Sequence, residues 1–442
     1  MLVLEPDGVW TPQGLKTGHV VEIEDGWIIG VVPAPRHPVS HPLPGRILLP
    51  GLVNAHSHAF QRAFRGHVQW RSAEHDDFWS WRDAMYAVAS RLDPEGVEAV
   101  SALAFLEMAE AGVTRVGEFH YLHHQPDGTR YADPDELARR VIAAAMSVGI
   151  RIALLRVAYA RGGPGVPLRP DQARFGDADP DDVLAALQRL DGATADPRIT
   201  LGLAPHSVRA LDADWLRALS AFDGPVHAHV SEQPAENEAA IAEHGASPLA
   251  VLADAGLVRG GFTAVHLTWP LAGDLELLQA AAGSVCVCPS TELDLGDGFL
   301  PVEARLRLPL CLGSDSHARI DLFAEARDLE LHARGLAGRR NVLTPPGQRH
   351  GLAHRLLQAA TVAGDRALGG AGQGIAAGAP ADLVAVDLRR TAAWGVPPLE
   401  AIAFTATPEW VDTVWVAGEP IVSGGYHPKA EAIRARARPW LG

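Results

Sequence analysis

The sequence predicts a (β/α)8 barrel with a small β-sandwich domain formed by both chain ends. Three observations lead there. Strand-like and helix-like stretches alternate eight times through the middle of the chain. Titratable residues close one strand after another, which is where barrel enzymes keep their chemistry. Both chain ends show short apolar runs broken by turns, a texture of antiparallel strands.

Taken in order, Val20–Ile23 and Trp27–Val32 are the first short strands, and Ala381–Asp387 and Val411–Gly418 match them at the other end. Residues 1–49 and 371–442 are assigned to the small domain, and 50–370 to the barrel. The barrel strands are Leu48–His58, Thr114–Tyr121, Arg151–Tyr159, Ile199–Ser207, Val226–Ser231, Thr263–Thr268, Ser284–Pro289 and Leu310–Ser314. Helices fill the gaps: Pro94–Ala111, with Val97, Val100, Ala104 and Met108 at helical spacing, then Asp133–Val148, Pro180–Leu190, Asp212–Ala221, Pro234–His244, Ala272–Ala282 and Leu322–Gly335. Each crossover is long enough for a parallel connection. An open doubly wound sheet is the alternative, but no Gly-x-Gly-x-x-Gly follows the first strand. The glycine-rich run Gly369–Gly374 comes late, lacks a preceding strand and reads as a connector.

The chain has 442 residues, 47% hydrophobic and 21% charged, enough to bury a sizeable core. Its formal charge of −15 argues against nucleic acid or an anionic membrane as partner. No apolar run approaches the ~20 residues that span a bilayer, and Met1–Glu5 does not read as a signal peptide. Three cysteines, Cys286, Cys288 and Cys311, suggest buried free thiols in a reducing cytoplasm. Apolar flanks favour packing over metal binding for Cys286 and Cys288.

The chemistry is densest where Ile47-Leu48-Leu49 runs into Pro50-Gly51 and then His56-Ser57-His58. Residues i and i+2 of a strand share a face, so His56 and His58 can hold one metal ion. Later strands end in Glu118-Phe119-His120-Tyr121, His206-Ser207-Val208-Arg209, His227-Ala228-His229, His266 and Asp315. Three imidazoles and a carboxylate make an open hydrolytic site, in which a metal lowers the pKa of bound water. Asp315 can ligate and take a proton from that water. Glu232, three residues past His229, can carry a proton to a substrate nitrogen. His266 stands beside the attacking water. His227 shares a face with His229 and is the other candidate ligand. A lone histidine is usually a satisfied polar residue, and that covers His120, His123, His124 and His317.

The ordered set of His-x-His, a fifth-strand His, a sixth-strand His and an eighth-strand Asp resembles the amidohydrolase superfamily. So does a flanking β domain built from both chain ends. Many binuclear members bridge two metals with a carboxylated lysine. The lysines here are Lys16 and Lys429, both outside the barrel, so the resemblance implies one divalent ion, Zn2+ or else Fe2+. His56, His58, His229 and Asp315 are then the ligands, with His229 preferred to His227 for its spacing to Glu232. Longer runs narrow this: Asn54–Arg62, Glu118–His124, Ala204–Arg209, Leu295–Gly298 and Gly313–His317 resemble the formimidoylglutamate deiminase family. That family hydrolyses N-formimino-L-glutamate to N-formyl-L-glutamate and ammonia in histidine degradation. The resemblance implies Glu232, His266 and Asp315 as catalytic groups, and Gln61, Arg82, Tyr121, His206 and Arg209 as substrate contacts. It also implies a dicarboxylate substrate, a cytoplasmic protein and a homodimer. Glu292-Leu293-Asp294-Leu295 departs from the expected pattern and puts the pocket's detail in question.

Arginine suits a dicarboxylate because its fork binds carboxylates in pairs of hydrogen bonds. Arg209, just past the fourth strand, is the better placed; a solvated helix position is as natural for Arg82. Two rivals stand beside this reading. A deaminase of purine, pyrimidine or triazine rings needs an aromatic sandwich, which Phe60, Trp79, Trp81 and Phe119 offer. A non-catalytic barrel is expected to have lost a ligand or Glu232, and none is missing.

Overall fold

The computed structural model describes residues 1–70, 78–193 and 195–441. Two eight-stranded sheets carry the chain. The larger is wholly parallel and forms the barrel. Its strands, numbered here in chain order, are β1 (Leu52–Ser57), β2 (Val113–His120), β3 (Arg151–Ala158), β4 (Ile199–Pro205), β5 (Val226–Val230), β6 (Phe262–His266), β7 (Ser284–Val287) and β8 (Leu310–Leu312). Neighbours in sequence are neighbours in space. Every residue of β1, β2, β5 and β6 is buried, as expected of parallel strands covered on both faces. A backbone bridge between Ser57 and Asp315 joins the first strand to the segment after the eighth and completes the ring.

The chain ends build the second sheet. Strands Leu2–Thr11, Gly14–Thr17, Val20–Glu24, Trp27–Val32 and His41–Pro50 come from the N-terminal side. Leu383–Asp387, Val411–Val416 and Glu419–Ser423 come from the C-terminal side. The two sets meet where Leu383–Asp387 pairs antiparallel with His41–Pro50. Leu4, Val21, Ile28, Leu48 and Trp415 are among the buried side chains of its separate core.

One sequence expectation needs correction. Leu48–His58 is not one strand. It is the end of a small-domain strand and the start of β1, split at Gly51. A Cβ at Gly51 would lie 2.1 Å from Thr114 Oγ1, so only glycine lets the chain cross from one sheet to the other here. Apolar periodicity cannot register that switch, because both flanks are buried strands.

The helices follow the sequence reading closely. Pro94–Glu110 is capped by Asp93, whose carboxylate accepts from the Gly96 amide at 2.8 Å. Pro234–His244 begins at a proline in its first turn. Phe78–Ala89, which periodicity did not mark, lies over the mouth of the barrel and lines the site below. Gly369–Gly374 contains neither helix nor strand: the amides of Gly370 and Gly372 fold back on Asp365. Cys286, Cys288 and Cys311 are free and fully buried, packed with Ala55 and Val265. Among the described residues, no helix is long and apolar enough to cross a membrane.

Candidate active site

The strand ends converge on one cluster. His56 lies in β1 and His58 one residue past its end, with ring centroids 4.7 Å apart. Ser57 points the other way: its hydroxyl donates to Glu118 Oε2 at 2.6 Å and meets His317 Nε2 at 3.1 Å. The alternation of a strand thus sends both histidines to one side. His229 of β5 brings its Nε2 within 3.3 Å of His56 Nε2. Asp315 brings Oδ1 within 3.4 Å of His56 Nε2 and 3.3 Å of His58 Nε2.

This donor set fits a divalent cation. His56, His58 and His229 offer three ring nitrogens within one 4.8 Å cluster; His56, His266 and Asp315 form a second that shares His56. His58 Nδ1 lies 3.0 Å from the Phe119 carbonyl, and His229 Nδ1 lies 3.1 Å from the His206 carbonyl. A carbonyl can only accept, so both Nδ1 atoms carry the proton and both Nε2 lone pairs face the cluster. Burial lowers the His56 pKa to about 3 and holds His229 well below its usual value, the neutral form a metal needs. Burial works against the Asp315 charge, but the close approach of His56 and His58 outweighs it and holds the carboxyl well below the usual range. The chain therefore carries a buried histidine-rich site suited to a divalent metal ion.

His227 does not join this cluster. It shares the inward face with His229, but two residues is roughly 6.6 Å of strand, and its Nε2 meets the Ala367 carbonyl at 2.8 Å deeper in the barrel. His123 and His124 contact the carbonyls of Val157 and Gly176, and His317 sits between Ser57 and Ser314. His123 and His317 are satisfied polar residues, whereas His124 keeps a buried Nδ1 without a hydrogen-bond partner. His120 packs its ring 5.5 Å from that of His123, away from the cluster.

His266 ends β6 with φ of 69°, and Ser231 and Asp315 also adopt positive φ. Non-glycine residues pay for that conformation, and such strain gathers at functional sites. His266 Nε2 has no hydrogen-bond partner and lies 3.7 Å from both Glu232 Oε1 and Asp315 Oδ2. Its Nδ1 lies 3.4 Å from Glu292 Oε1, which also accepts from the Cys288 amide at 2.9 Å. Burial opposes a charge on His266, yet Glu232, Glu292 and Asp315 together push its pKa up to about 10.

A small cavity opens beside the cluster. His58, His229, Glu232 and Asp315 line it, and so do Gln61, Arg82, Tyr121, His206 and Arg209. All five residues expected to touch substrate therefore share one space with His58, His229 and Asp315, three of the four candidate ligands. Gln61 donates to the Tyr121 hydroxyl at 2.9 Å, and that hydroxyl donates to Met85 Sδ at 3.8 Å. His206 Nδ1 meets the Ser207 hydroxyl at 3.1 Å. Arg82, on helix Phe78–Ala89, stacks its guanidinium 4.5 Å from the Trp79 ring centroid.

Several residues of the site escaped the sequence. Glu236 sits in the first turn of Pro234–His244, four residues past Glu232, where no local spacing singles it out. Glu292 stands out in the sequence only as part of a departure from the family pattern. Asp297 accepts from the Gln233 side chain, and burial with Glu232 nearby pushes its pKa up to about 9. Phe78, Tyr86, Tyr159 and Phe175 wall the cavity from three separate segments, the first two from helix Phe78–Ala89. Of the aromatic residues that the sequence offers for a ring sandwich, Trp81 lines the cavity; Phe119 backs the histidines, 4.4 Å from the His229 ring.

Comparison with known proteins places this arrangement. Residues 47–421 match the amidohydrolase family. The chain belongs to that family. This amidohydrolase is a hydrolase acting on C–N bonds other than peptide bonds. The formimidoylglutamate deiminase of Pseudomonas aeruginosa is 36% identical over 396 residues, covering 88% of this chain and 87% of that protein. A 5-methylthioadenosine/S-adenosylhomocysteine deaminase of Halobacterium salinarum is 30% identical over 377 residues, covering 83% and 79%. Among solved structures, an amidohydrolase from Brucella melitensis matches with a TM-score of 0.92 at 33% identity, covering 100% of this chain and 99% of that one. An adenosine deaminase from Xanthomonas campestris with bound zinc matches with a TM-score of 0.84 at 28% identity, covering 99% and 97%.

Proposed function

We propose that this amidohydrolase converts N-formimino-L-glutamate and water to N-formyl-L-glutamate and ammonia, a step of histidine breakdown in the cytoplasm. The observation that carries the reading is the presence of Arg209 and Arg82 together on the wall of the cavity that His58, His229 and Asp315 also line. Guanidinium groups there match the two carboxylates of such a substrate. The Pseudomonas aeruginosa relative, named for this activity, supports it.

His56, His58, His229 and Asp315 would hold one divalent ion, zinc in preference to iron. Such an ion supplies a Lewis acid that makes water acidic enough to attack near neutral pH. The remaining work falls to the protein. His266 orients the attacking oxygen, and Glu292 fixes the ring from its far side. Asp315 takes the water's proton as oxygen bonds to the formimino carbon. The C=N bond becomes single, and the carbon becomes tetrahedral. The substrate enters as the amidinium, so its nitrogen is –NH2 at the tetrahedral stage. Glu232 carries the new hydroxyl's proton to that nitrogen, the C–N bond breaks, ammonia leaves and the formyl carbonyl remains, while the first water proton passes from Asp315 to the ammonia. Gln61, His206 and Tyr121 supply hydrogen bonds that orient the substrate.

One observation favours a second reading. Phe78, Trp81, Tyr86 and Phe175 line the cavity, and aromatic walls suit a planar ring. Relatives named as adenosine-type deaminases keep that reading in play. Ammonia release separates the two. The zinc-loaded protein is offered formiminoglutamate, methylthioadenosine, adenosine, guanine and cytosine. Turnover of formiminoglutamate alone is expected. Turnover of a ring substrate without formiminoglutamate would reverse the assignment.

A further inference from the structure

Arg209 is already engaged before any substrate arrives. Its Nη2 donates to Glu232 Oε2 at 3.3 Å, and its Nε lies 3.7 Å from Glu236 Oε2. Glu236 is the anchored member of the trio. It is almost fully buried, and its Oε2 also accepts from the Glu232 amide at 3.2 Å. Glu232 is held less firmly. Its second oxygen, Oε1, lies 3.7 Å from His266 Nε2, too far for a direct hydrogen bond. So the carboxylate that has to serve the departing nitrogen points one oxygen at the guanidinium that has to bind a substrate carboxylate.

Those two demands on Arg209 conflict in a buried pocket. Only 15% of the Arg209 side chain is exposed, so water contributes little to solvating an unpaired charge there. An arriving carboxylate must share the guanidinium with Glu232 or replace it. Glu236 is tied to the backbone and stays. Glu232 has a second partner waiting in His266. The geometry points to an exchange: the substrate's carboxylate replaces Glu232 on Arg209, and Glu232 turns towards His266 and the reacting nitrogen. This rests on the reading that the substrate bears a carboxylate. Glu232 is then a specificity-determining residue as well as a proton carrier. A ligand without a carboxylate leaves Glu232 on Arg209, so discrimination reaches the chemical step as well as binding.

Glutarate, an unreactive dicarboxylate, tests the exchange by calorimetry on the zinc-loaded protein. The measurement is made at about pH 8, above the value near 7 to which burial pushes Glu236. Glu232→Gln removes the internal competitor and is expected to bind glutarate roughly tenfold more tightly than the wild type. Glu236→Gln removes the same formal charge beside the same guanidinium but leaves the competitor, so its gain should be much smaller. Placed on Arg209→Met, Glu232→Gln should gain nothing. A tightening cannot arise from misfolding. Equal gains in the two glutamate variants would reduce the effect to general electrostatics and overturn the exchange, as would no gain in Glu232→Gln. A protein that turns over formiminoglutamate but shows no such gain keeps its substrate and loses the exchange. A protein inert towards formiminoglutamate but showing the gain keeps the exchange and loses that substrate. Absence of glutarate binding in every form overturns the exchange, whatever the turnover assay shows.

Discussion

The amide of Asp315 donates to the carbonyl of His56 at 3.0 Å, and their side chains meet 3.4 Å apart. The amide of His58 donates to the Asp315 carbonyl at 3.2 Å. The seam that closes the barrel is therefore made by the backbone of three proposed metal ligands. A cation drawing their side chains together also holds the two ends of the barrel sheet together.

Removing the metal should then loosen the whole barrel. A ligand at a hundred times its Kd stabilises the fold by about 2.7 kcal/mol. A chelator that strips the protein should lower Tm by at least a few degrees, and added zinc should restore it. One equivalent of metal should suffice for both stability and activity, since the two candidate ligand groups share His56. Unchanged melting after metal loss would separate the seam from the site. A requirement for two equivalents would end the mononuclear assignment.

Glu232→Gln should keep its metal and lose most turnover. The amide has the same shape but cannot exchange a proton, and general acid–base catalysis typically contributes about a hundred- to ten-thousand-fold. Glu232 is near His266 and absent from both candidate metal groups, so metal content should not change. Single-turnover rates with metal analysis decide it. Near wild-type rates would mean another group carries the proton.

Arg209→Met should lower kcat/KM for formiminoglutamate by roughly ten- to a hundred-fold, the range for losing one hydrogen bond to a charged group. It should leave metal content alone. An acidic chain repels a dianion at long range, so attraction must come from local, desolvated pairs. Analogues with either carboxylate converted to an amide should be poor substrates of the wild type. If both are processed as well as the parent, the arginines do not read carboxylates.

The sequence exposed whatever local spacing controls. His56 and His58 are two apart on a strand, and His229 precedes Glu232 by three; those intervals fix shared faces and strand ends before any tertiary contact is known. What it hid depends on packing between distant segments. Glu236 stands at a helix start where no local spacing singles it out, yet Arg209 and the barrel mouth bury it. Glu292 acquires a role only when a six-residue helix lays it against His266. The aromatic wall comes from residues 78 to 175, which no single period connects. Gly51 was invisible for a different reason: both of its flanks are buried strands, and only the Thr114 side chain shows where one sheet gives way to the other.

Gly51→Ala should destabilise the fold without touching the site. The new Cβ would fall 2.1–2.7 Å from three atoms of Thr114, which sits in β2 with little freedom to move. Overpacking of this kind typically costs about 1–3 kcal/mol. Thr114→Ala in the same chain should recover part of the loss. Urea unfolding of the single and double variants measures the coupling. Simple additivity would show that the contact does not explain the glycine.

The last prediction concerns pH. Glu325, in the first turn of helix Leu322–Ala337, is fully buried, and its Oε2 accepts from the Ser290 amide at 2.9 Å. Burial pushes its pKa up to about 8, against the pull of the Ser290 hydrogen bonds. In the unfolded chain the same carboxyl titrates near 4.3. Between those values the folded state holds a proton that the unfolded state has released. Raising the pH therefore favours unfolding: the contribution is fully present below about 4.3 and is lost as the pH rises towards about 8. The loss amounts to at most about 1.4 kcal/mol per pH unit. Glu325→Gln keeps an acceptor for the Ser290 amide and does not titrate, so it should flatten this slope. It should not abolish it, because burial also raises Glu118 and Glu236, each to about 7. Urea midpoints of the metal-loaded wild type and variant, compared at about pH 5.5 and pH 8, give the test. A variant that loses stability as steeply as the wild type would show that Glu325 is ionised in the fold throughout that range.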